Sequence, residues 1–364
     1  MAITPTFYIS SLATPGTGDG TFGLPYALAD LSIVGGTYKT VATTDIVAML
    51  ADGTYTPSAN LVTVYGSANH APILRGCKSD GSWDDTGATK AAIQLSGTFC
   101  VDVNGYSALV DVQVTAAAGV AGASALINVR GNSALLYNVT VDFGASTSTT
   151  SYAFYTLTQN NSRLIRCNTL GAFNAAFSCN RAAHLVYCVA DGAKNGFTGG
   201  TVIYASFFAY CVAKNCTGFG IVASGNIVLH CLAYNCGQSG ISVANVGGVG
   251  GIGIGCLSYN NGAAGYAAGS PTTVEHVFIG CAGYNNTTGL VTVPGSLWYP
   301  EDVQSIDSDF DAYLMALGAV PTLGHMLGAP AGRNAAGILT LAGSGGSGSG
   351  MIPMIGNPFL RRCA

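Results

Sequence analysis

General acid–base catalysis by side chains needs carboxylates held at a fixed separation. This chain has few to place. Its 364 residues carry 17 Asp plus Glu, 13 Lys plus Arg and 5 His. Glu275 and Glu301 are its two Glu, and no Asp, Glu, Lys or Arg occurs from Asn215 to Val274. The carboxylates that remain for chemistry are Asp102, Asp111 and Asp142. Asp111 and Asp142 fall on outward positions of neighbouring repeats, where they either form a carboxylate pair or stay as solvated surface charges. Asp84 and Asp85, with Asp80 nearby, either bind a cation or lie in an exposed loop. No His stands at a metal-ligand spacing. Cys211/Cys216 and Cys231/Cys236 repeat 20 residues apart and are a marginal match to a zinc site; two stacked structural columns explain them better. The sequence therefore predicts no catalytic group beyond these three weak candidates, no metal and no cofactor.

The remaining composition narrows the class. Charged residues make up 8% and apolar residues 49%, with 51 Gly and a net charge of −4. A coiled coil and a charged disordered chain are excluded. Nucleic acid is not an expected partner, because no basic cluster is present to displace counterions. No membrane span is expected, since the longest apolar stretch, around Ile241–Ser258, is broken by Gly. Twelve Cys are too sparse for a disulfide scaffold. The N-terminus lacks the pattern of a secretory signal, so reduced thiols are expected.

The elements that must position these groups come from a repeat. With one Cys in register the chain reads RLIRCNTLG, HLVYCVADG, FFAYCVAKN, IVLHCLAYN, GIGIGCLSYN and VFIGCAGYN, which aligns Cys167, Cys188, Cys211, Cys231, Cys256 and Cys281. Val112 and Val139 fill the same place in two earlier units. Each unit opens with a β-favouring run and reaches Gly or Asn at Gly171, Gly192, Asn215, Asn235, Asn260 and Asn285, residues that tolerate a left-handed bend. Variable spacing around a fixed strand motif, with no 3.6-residue period, predicts an all-β, single-stranded right-handed parallel β-helix of about 8–10 coils. Alternation carried through the repeat puts the Cys/Val column inside. It also puts inside the residues two before (Val110, Tyr137, Ile165, Val186, Ala209, Leu229, Ile254 and Ile279) and two after. The residue just before the column is expected to face outward.

The expected organisation is an N-terminal cap and first coil over 1–75, the β-helix over 76–290, and a C-terminal cap with a Gly-rich arm over 291–364. A short helix starting at Ser308 is expected to cover the open end. The arm ends in Met351, Ile352, Phe359, Leu360, Arg361 and Arg362, which read either as a tethered docking peptide or as a disordered tail.

On these repeats, and on the opening Phe7-Tyr-Ile-Ser, Pro25-Tyr-Ala-Leu-Ala and Asp45-Ile-Val-Ala-Met-Leu segments, the chain resembles the pectin-lyase-like superfamily of right-handed parallel β-helices. That superfamily includes polysaccharide lyases, glycosidases, phage tailspikes and non-catalytic virion parts. The scarcity of carboxylates, taken with the resemblance, predicts a non-enzymatic structural protein of a bacteriophage virion: a head decoration, knob or spike. It would be assembled in the bacterial cytoplasm and displayed on the virion surface beside other capsid or tail proteins. The alternative is a tailspike-type depolymerase, or a carbohydrate-binding protein, acting on bacterial surface polysaccharide. The β-helix opens by Phe7, which is expected to leave no room for a separate particle-binding domain. The outward rows turn from polar to apolar and aromatic along the chain, through Val189, Val212, Leu232 and Leu257 and through Tyr234, Tyr259 and Tyr284. Uncharged apolar strips mark interfaces, so a homotrimer packed along the later coils is expected. The same tyrosine column could instead stack on a glycan.

Overall fold

The computed structural model describes residues 4–117, 125–143, 152–156, 161–180, 182–199, 206–223, 226–243 and 251–268. Beyond these it describes only short strands, the last at 339–341. The fold is a parallel β-solenoid with almost no helix. Two compact units divide at Lys194/Asn195.

In residues 1–194 the strands stack into three parallel sheets. The first sheet contains Ile46–Leu50, Ile73–Cys77, Ala108–Val110, Leu135–Tyr137, Ser162–Ile165 and Ala183–Val186. The second contains Ala91–Leu95, Val112–Ala116, Thr140–Asp142, Asn168–Leu170 and Val189–Asp191. The third contains Val101–Val103, Ala125–Val129, Tyr152–Thr156 and Ala175–Cys179. Every coil thus pairs with its neighbours three times, in strict register: Leu109 with Leu136, Val114 with Val141, Ile127 with Phe154. Like stacks on like inside, as in the parallel rings of Phe154 and Phe177, 4.8 Å apart.

Strands Phe7–Ser10 and Tyr26–Ala27 and two short 3-10 turns close the N-terminal end. Asp30 ties this cap together by accepting from the amides of Gly16 and Ala27. The Tyr55 hydroxyl sits 2.9 Å from the carbonyls of Ile9 and Leu50.

The described strands of the second unit repeat the scheme. Phe207–Ala209, Ile227–Leu229 and Ile252–Ile254 form the first sheet, Val212–Lys214, Leu232–Tyr234, Leu257–Tyr259 and Ala282–Tyr284 the second, and Asn195–Gly199, Ile221–Ala223, Ile241–Val243 and Ala264–Ala268 the third.

One residue makes the corner between first and second sheets. Asp111, Asn138, Arg166 and Tyr187 in the first unit, and Tyr210, His230 and Gly255 in the second, all have φ between 49° and 59°. A non-Gly residue pays roughly 1–2 kcal/mol for that conformation. The bend also breaks the two-residue alternation and so corrects the sequence reading. The inward residues before the corner are Leu109, Leu136, Leu164, Leu185, Phe208 and Val228, all fully buried. Those expected inside, Val110, Tyr137, Ile165, Val186, Leu229 and Ile254, are half-buried on the outer side, Ala209 alone being buried. After the corner the expectation holds. Cys167, Cys188, Cys211, Cys231, Cys256 and Cys281 are buried, as are Val114, Val141, Thr169, Ala190, Ala213, Ala233 and Ser258.

The corner also accounts for the thiols. Each lies against the carbonyl two residues back: Cys188 Sγ is 3.6 Å from Val186 O, Cys231 Sγ 3.4 Å from Leu229 O and Cys256 Sγ 3.4 Å from Ile254 O. A thiol packs like a small apolar group and still offers a weak donor to a carbonyl at the corner. Cys216 and Cys236 form a separate buried column at the next turn, which Asn261 and Asn286 continue; Asn261 Oδ1 accepts from the Cys236 amide and Asn286 Oδ1 from the Asn261 amide. Gly171, Gly192, Asn215, Asn235 and Asn260 adopt the left-handed bend expected of them. The expected C-terminal helix, Asn285, and the arm residues Met351, Ile352, Phe359, Leu360, Arg361 and Arg362 lie outside the described residues. Among the described residues no helix is long and apolar enough to cross a membrane.

Candidate functional site

The three candidate carboxylates are not brought together. Asp111 occupies the corner and is 2% exposed. Its Oδ2 accepts from Arg75 Nε at 2.9 Å and its Oδ1 from Asn138 Nδ2 at 2.7 Å. The Arg75 guanidinium lies over the Trp83 ring, 4.5 Å from its centroid. The outward surface position expected for Asp111 is therefore corrected: the one-residue bend turns it into a closed ion-pair network. Asp142 stands on the second sheet, where its register partner is Thr115. Of the two alternatives for these acids, Asp111 takes neither: it is not a solvated surface charge, and its carboxylate is bonded to Arg75 and Asn138 at the corner instead of facing Asp142.

Asp80 and Asp84 are absorbed by their own loop. Asp80 accepts from the amide and hydroxyl of Ser82, and Asp84 from the amide and hydroxyl of Thr86 and from the Thr89 amide. These bonds hold both carboxyls below the usual range. The loop's Trp83, with Tyr8, packs on the buried cluster of Ala48, Leu50 and Cys77. Burial pushes the Cys77 thiol up to about 12.

Asp102 has the more open surroundings. It lies mid-strand on the third sheet and points outward. Register sets it beside Asn128, then Tyr155, then Ser178. Asp102 Oδ1 accepts from Arg130 Nε at 2.8 Å and from Asn128 Nδ2 at 3.0 Å, and Cys100 Sγ lies 3.5 Å away. The carboxylate is 8% exposed and the Arg130 side chain 47%. Burial first, and then the Asp102 charge, raise the Cys100 thiol to about 11. It is a protonated thiol, not a nucleophile. Asn128 Oδ1 is buried without a hydrogen-bond partner. Alongside, Asn180 Nδ2 donates to the Tyr155 hydroxyl at 2.5 Å, and the Tyr152 and Tyr155 rings stack at 5.0 Å. The floor of this face is thus a buried Asp–Asn pair, and its rim is a half-exposed guanidinium with two half-buried tyrosines. Such a row presents donors and acceptors one strand spacing apart, about 4.8 Å. Sequence reasoning found Asp102 but missed Asn128, Arg130, Tyr155 and Asn180. Their sequence separations of 25–28 residues carry no signal until the register is known.

The apolar row takes a different form in each member. Val189, Val212, Leu232, Tyr234 and Tyr259 are half-buried within the chain, and Leu257 is 3% exposed. Leu257 is therefore covered, not an outward-facing side chain. It pairs with Leu232 and, on its other side, with the small Ala282. The Tyr234 and Tyr259 rings are parallel within 1° at 4.9 Å, and Tyr284 follows in backbone register. The Tyr234 and Tyr259 rings thus each cover one face of the other.

Among the described residues no group of three His, Cys, Asp or Glu side chains converges as a metal site. Within each Cys-x₄-Cys pair the sulfurs point to different carbonyls, Cys211 to Ala209 and Cys216 to Lys214, Cys231 to Leu229 and Cys236 to Tyr234.

No protein-family model matches the chain, and no curated protein sequence matches it. Solved structures do. Pectate lyase Pel9A superposes with a TM-score of 0.59 at 12% identity, covering 81% of this chain and 79% of its own. The A-module of the Azotobacter vinelandii mannuronan C-5 epimerase AlgE4 gives 0.41 at 12% identity over 71% and 82%. A tailspike protein of E. coli bacteriophage HK620 gives 0.39 at 10% identity over 72% and 60%. At these identities the likeness is one of fold, carried by the pectate lyase: the chain is a right-handed parallel β-helix.

Proposed function

We propose that this chain is a polysaccharide-binding β-helix and that it binds glycan along the outer face of its third sheet. The observation that carries the reading is the Arg130 guanidinium, 47% exposed and held by the buried Asp102, on the same face as the Tyr155 hydroxyl held by Asn180. Arg130, oriented by Asp102, and the Tyr155 hydroxyl, oriented by Asn180, supply fixed polar groups on the rim. Fixed donors and acceptors lose little entropy on binding.

Catalysis is a separate matter. Each candidate carboxylate with a described ion pair is already neutralised by an arginine, Asp102 by Arg130 and Asp111 by Arg75. This supports binding without turnover. The test is a panel of bacterial capsular and lipopolysaccharide fractions, read both for retention and for new reducing ends or unsaturated products. Retention lost at least tenfold in Arg130→Ala and Tyr155→Ala, with no product from the native chain, is the expected result. Product formation that disappears in Asp102→Ala, Asp111→Ala or Asp142→Ala would replace binding with catalysis.

A second reading rests on the charge-free Leu232–Tyr234 and Leu257–Tyr259 strands. It makes the protein a homotrimeric structural part of a phage virion, assembled in the bacterial cytoplasm and contacting capsid or tail proteins. Leu232→Asp would then dissociate the oligomer in sedimentation; a native monomer at micromolar concentration removes that reading.

A further inference from the structure

A second polar cluster lies at the corner between the first and second sheets, away from the Asp102 face, and its charges do not balance. Lys90 is half-buried, and its Nζ donates to the Thr140 hydroxyl at 2.5 Å. Its neighbouring acid, Asp111, is already engaged by Arg75 and Asn138. Two cations therefore share one buried carboxylate. Burial pulls the Lys90 ammonium below the ordinary lysine range; the opposing pull of Asp111 is smaller.

Beside Lys90 the outer row of the second sheet places Gln113, Thr140 and Asn168 in consecutive register. All three are half-buried. The side-chain amides of Gln113 and Asn168 stand half-exposed on either side of Thr140, which Lys90 contacts, and are open to a ligand there. The next corner residue along, Arg166, is exposed; its guanidinium lies 5.8 Å from the centroid of the Tyr137 ring, and its Nη1 donates to the Tyr137 hydroxyl. The other acid on this face is Asp142, two residues past Thr140. The buried Cys167 thiol is the remaining titratable group near Lys90.

We propose that Lys90, Gln113, Thr140 and Asn168 form a binding site for a single oxyanion, of the sulfate or carboxylate type. An anion there would supply the missing countercharge, and the two amides would complete its coordination. The site does not depend on the third-sheet reading, because neither its residues nor its ligand charge are shared with the Asp102 face.

The test uses the full chain with ¹³C-labelled lysine, since five lysines give a resolvable spectrum. Sodium sulfate, sodium glucuronate and glucose are titrated at constant ionic strength set with chloride. The expected result is a saturable shift at Lys90 alone with sulfate or glucuronate and none with glucose. The Lys90 titration midpoint should also move upward when the anion is bound. Lys90→Met should abolish saturable sulfate binding by calorimetry, and Lys90→Arg should retain it. Asn168→Ala should weaken it at least threefold while the Lys90 signal stays native-like. Equal small shifts at all five lysines, or no saturation by about 100 mM sulfate, a hundredfold above a millimolar Kd, would overturn the proposal. A glucose response equal to that of glucuronate would do the same. If sulfate binds and glucuronate does not, the site takes small free anions and the glycan carboxylate is ruled out as its source.

Discussion

The first unit and the second share a backbone plan and use it for opposite chemistry. In residues 1–194 the corner column reads Asp111, Asn138, Arg166 and Tyr187; in the later unit it reads Tyr210, His230 and Gly255. The first unit holds both described ion pairs, Arg75–Asp111 and Arg130–Asp102. In the second, the strands Leu232–Tyr234 and Leu257–Tyr259 carry no charge, and order comes from stacked tyrosines, buried thiols and the Asn261–Asn286 ladder. The difference teaches that the solenoid fixes only the inward rows and the left-handed corner. What the corner and outer rows carry is free to vary, and there the polar chemistry collects.

The sharpest way to break this contrast is to remove an acid from each ion pair. Asp111→Ala leaves Arg75, whose side chain is 16% exposed, buried without its carboxylate and should cost about 3–5 kcal/mol in urea unfolding. Asp102→Ala leaves Arg130, 47% exposed, free to reach water and should cost about 1 kcal/mol. Equal costs would show that burial does not separate the two pairs.

The thiol column changes occupant inside the first unit, where Val112 and Val139 give way to Cys167 and Cys188, and stays Cys through the second. Cys231→Val should cost less than about 1.5 kcal/mol, as a volume-similar apolar exchange. Cys231→Asp at the same site should prevent folding. A loss above about 3 kcal/mol for Val would mean that the thiol's contact with the corner carbonyls dominates its packing.

Alkaline pH should weaken the protein through its buried thiols. Burial raises Cys77 and Cys179 to about 12 and Cys100 to about 11, from 9.0. Their folded-state pKa values lie above the unfolded ones. The stability they confer is therefore complete below pH 9 and is lost as pH rises toward 11–12, by up to about 1.4 kcal/mol per pH unit for each thiol. Lys90 acts with the opposite sign below 10.5, where its lowered pKa makes deprotonation favour the folded state. Thermal scans from pH 8 to 11 on the native chain and Cys179→Ala should differ increasingly with pH; parallel curves would remove Cys179 from the account.

The smallest effect belongs to the corner itself. Tyr187 is 53% exposed with φ of 57°. Tyr187→Asn keeps a residue suited to that conformation and should stabilise by about 0.5 kcal/mol. His230→Asn should gain less, because it forfeits the stacking of His230 on Tyr210 at 5.4 Å.

Much of this was legible in the chain alone. The Cys/Val repeat and the Gly or Asn turns identified a parallel β-helix, because every coil must present the same small inward residue and the same left-handed turn wherever it stacks. The inward rows after the corner followed from the two-residue period of a strand. The rows before it did not, since one residue at positive φ resets the alternation, and a column that mixes Asp, Asn and His with Arg and Tyr does not announce that conformation as a repeat. Charge scarcity was equally legible, and with it the small number of candidate acids. Tertiary structure alone decided what those acids do. Asp111 lies 36 residues from Arg75, and Asp102 lies 28 from Arg130. Their pairing depends on coil-to-coil register, which is set by the summed lengths of intervening turns and not by any local pattern. The same register brings Lys90, Gln113, Thr140 and Asn168 to one patch, and it turns isolated tyrosines into a ladder.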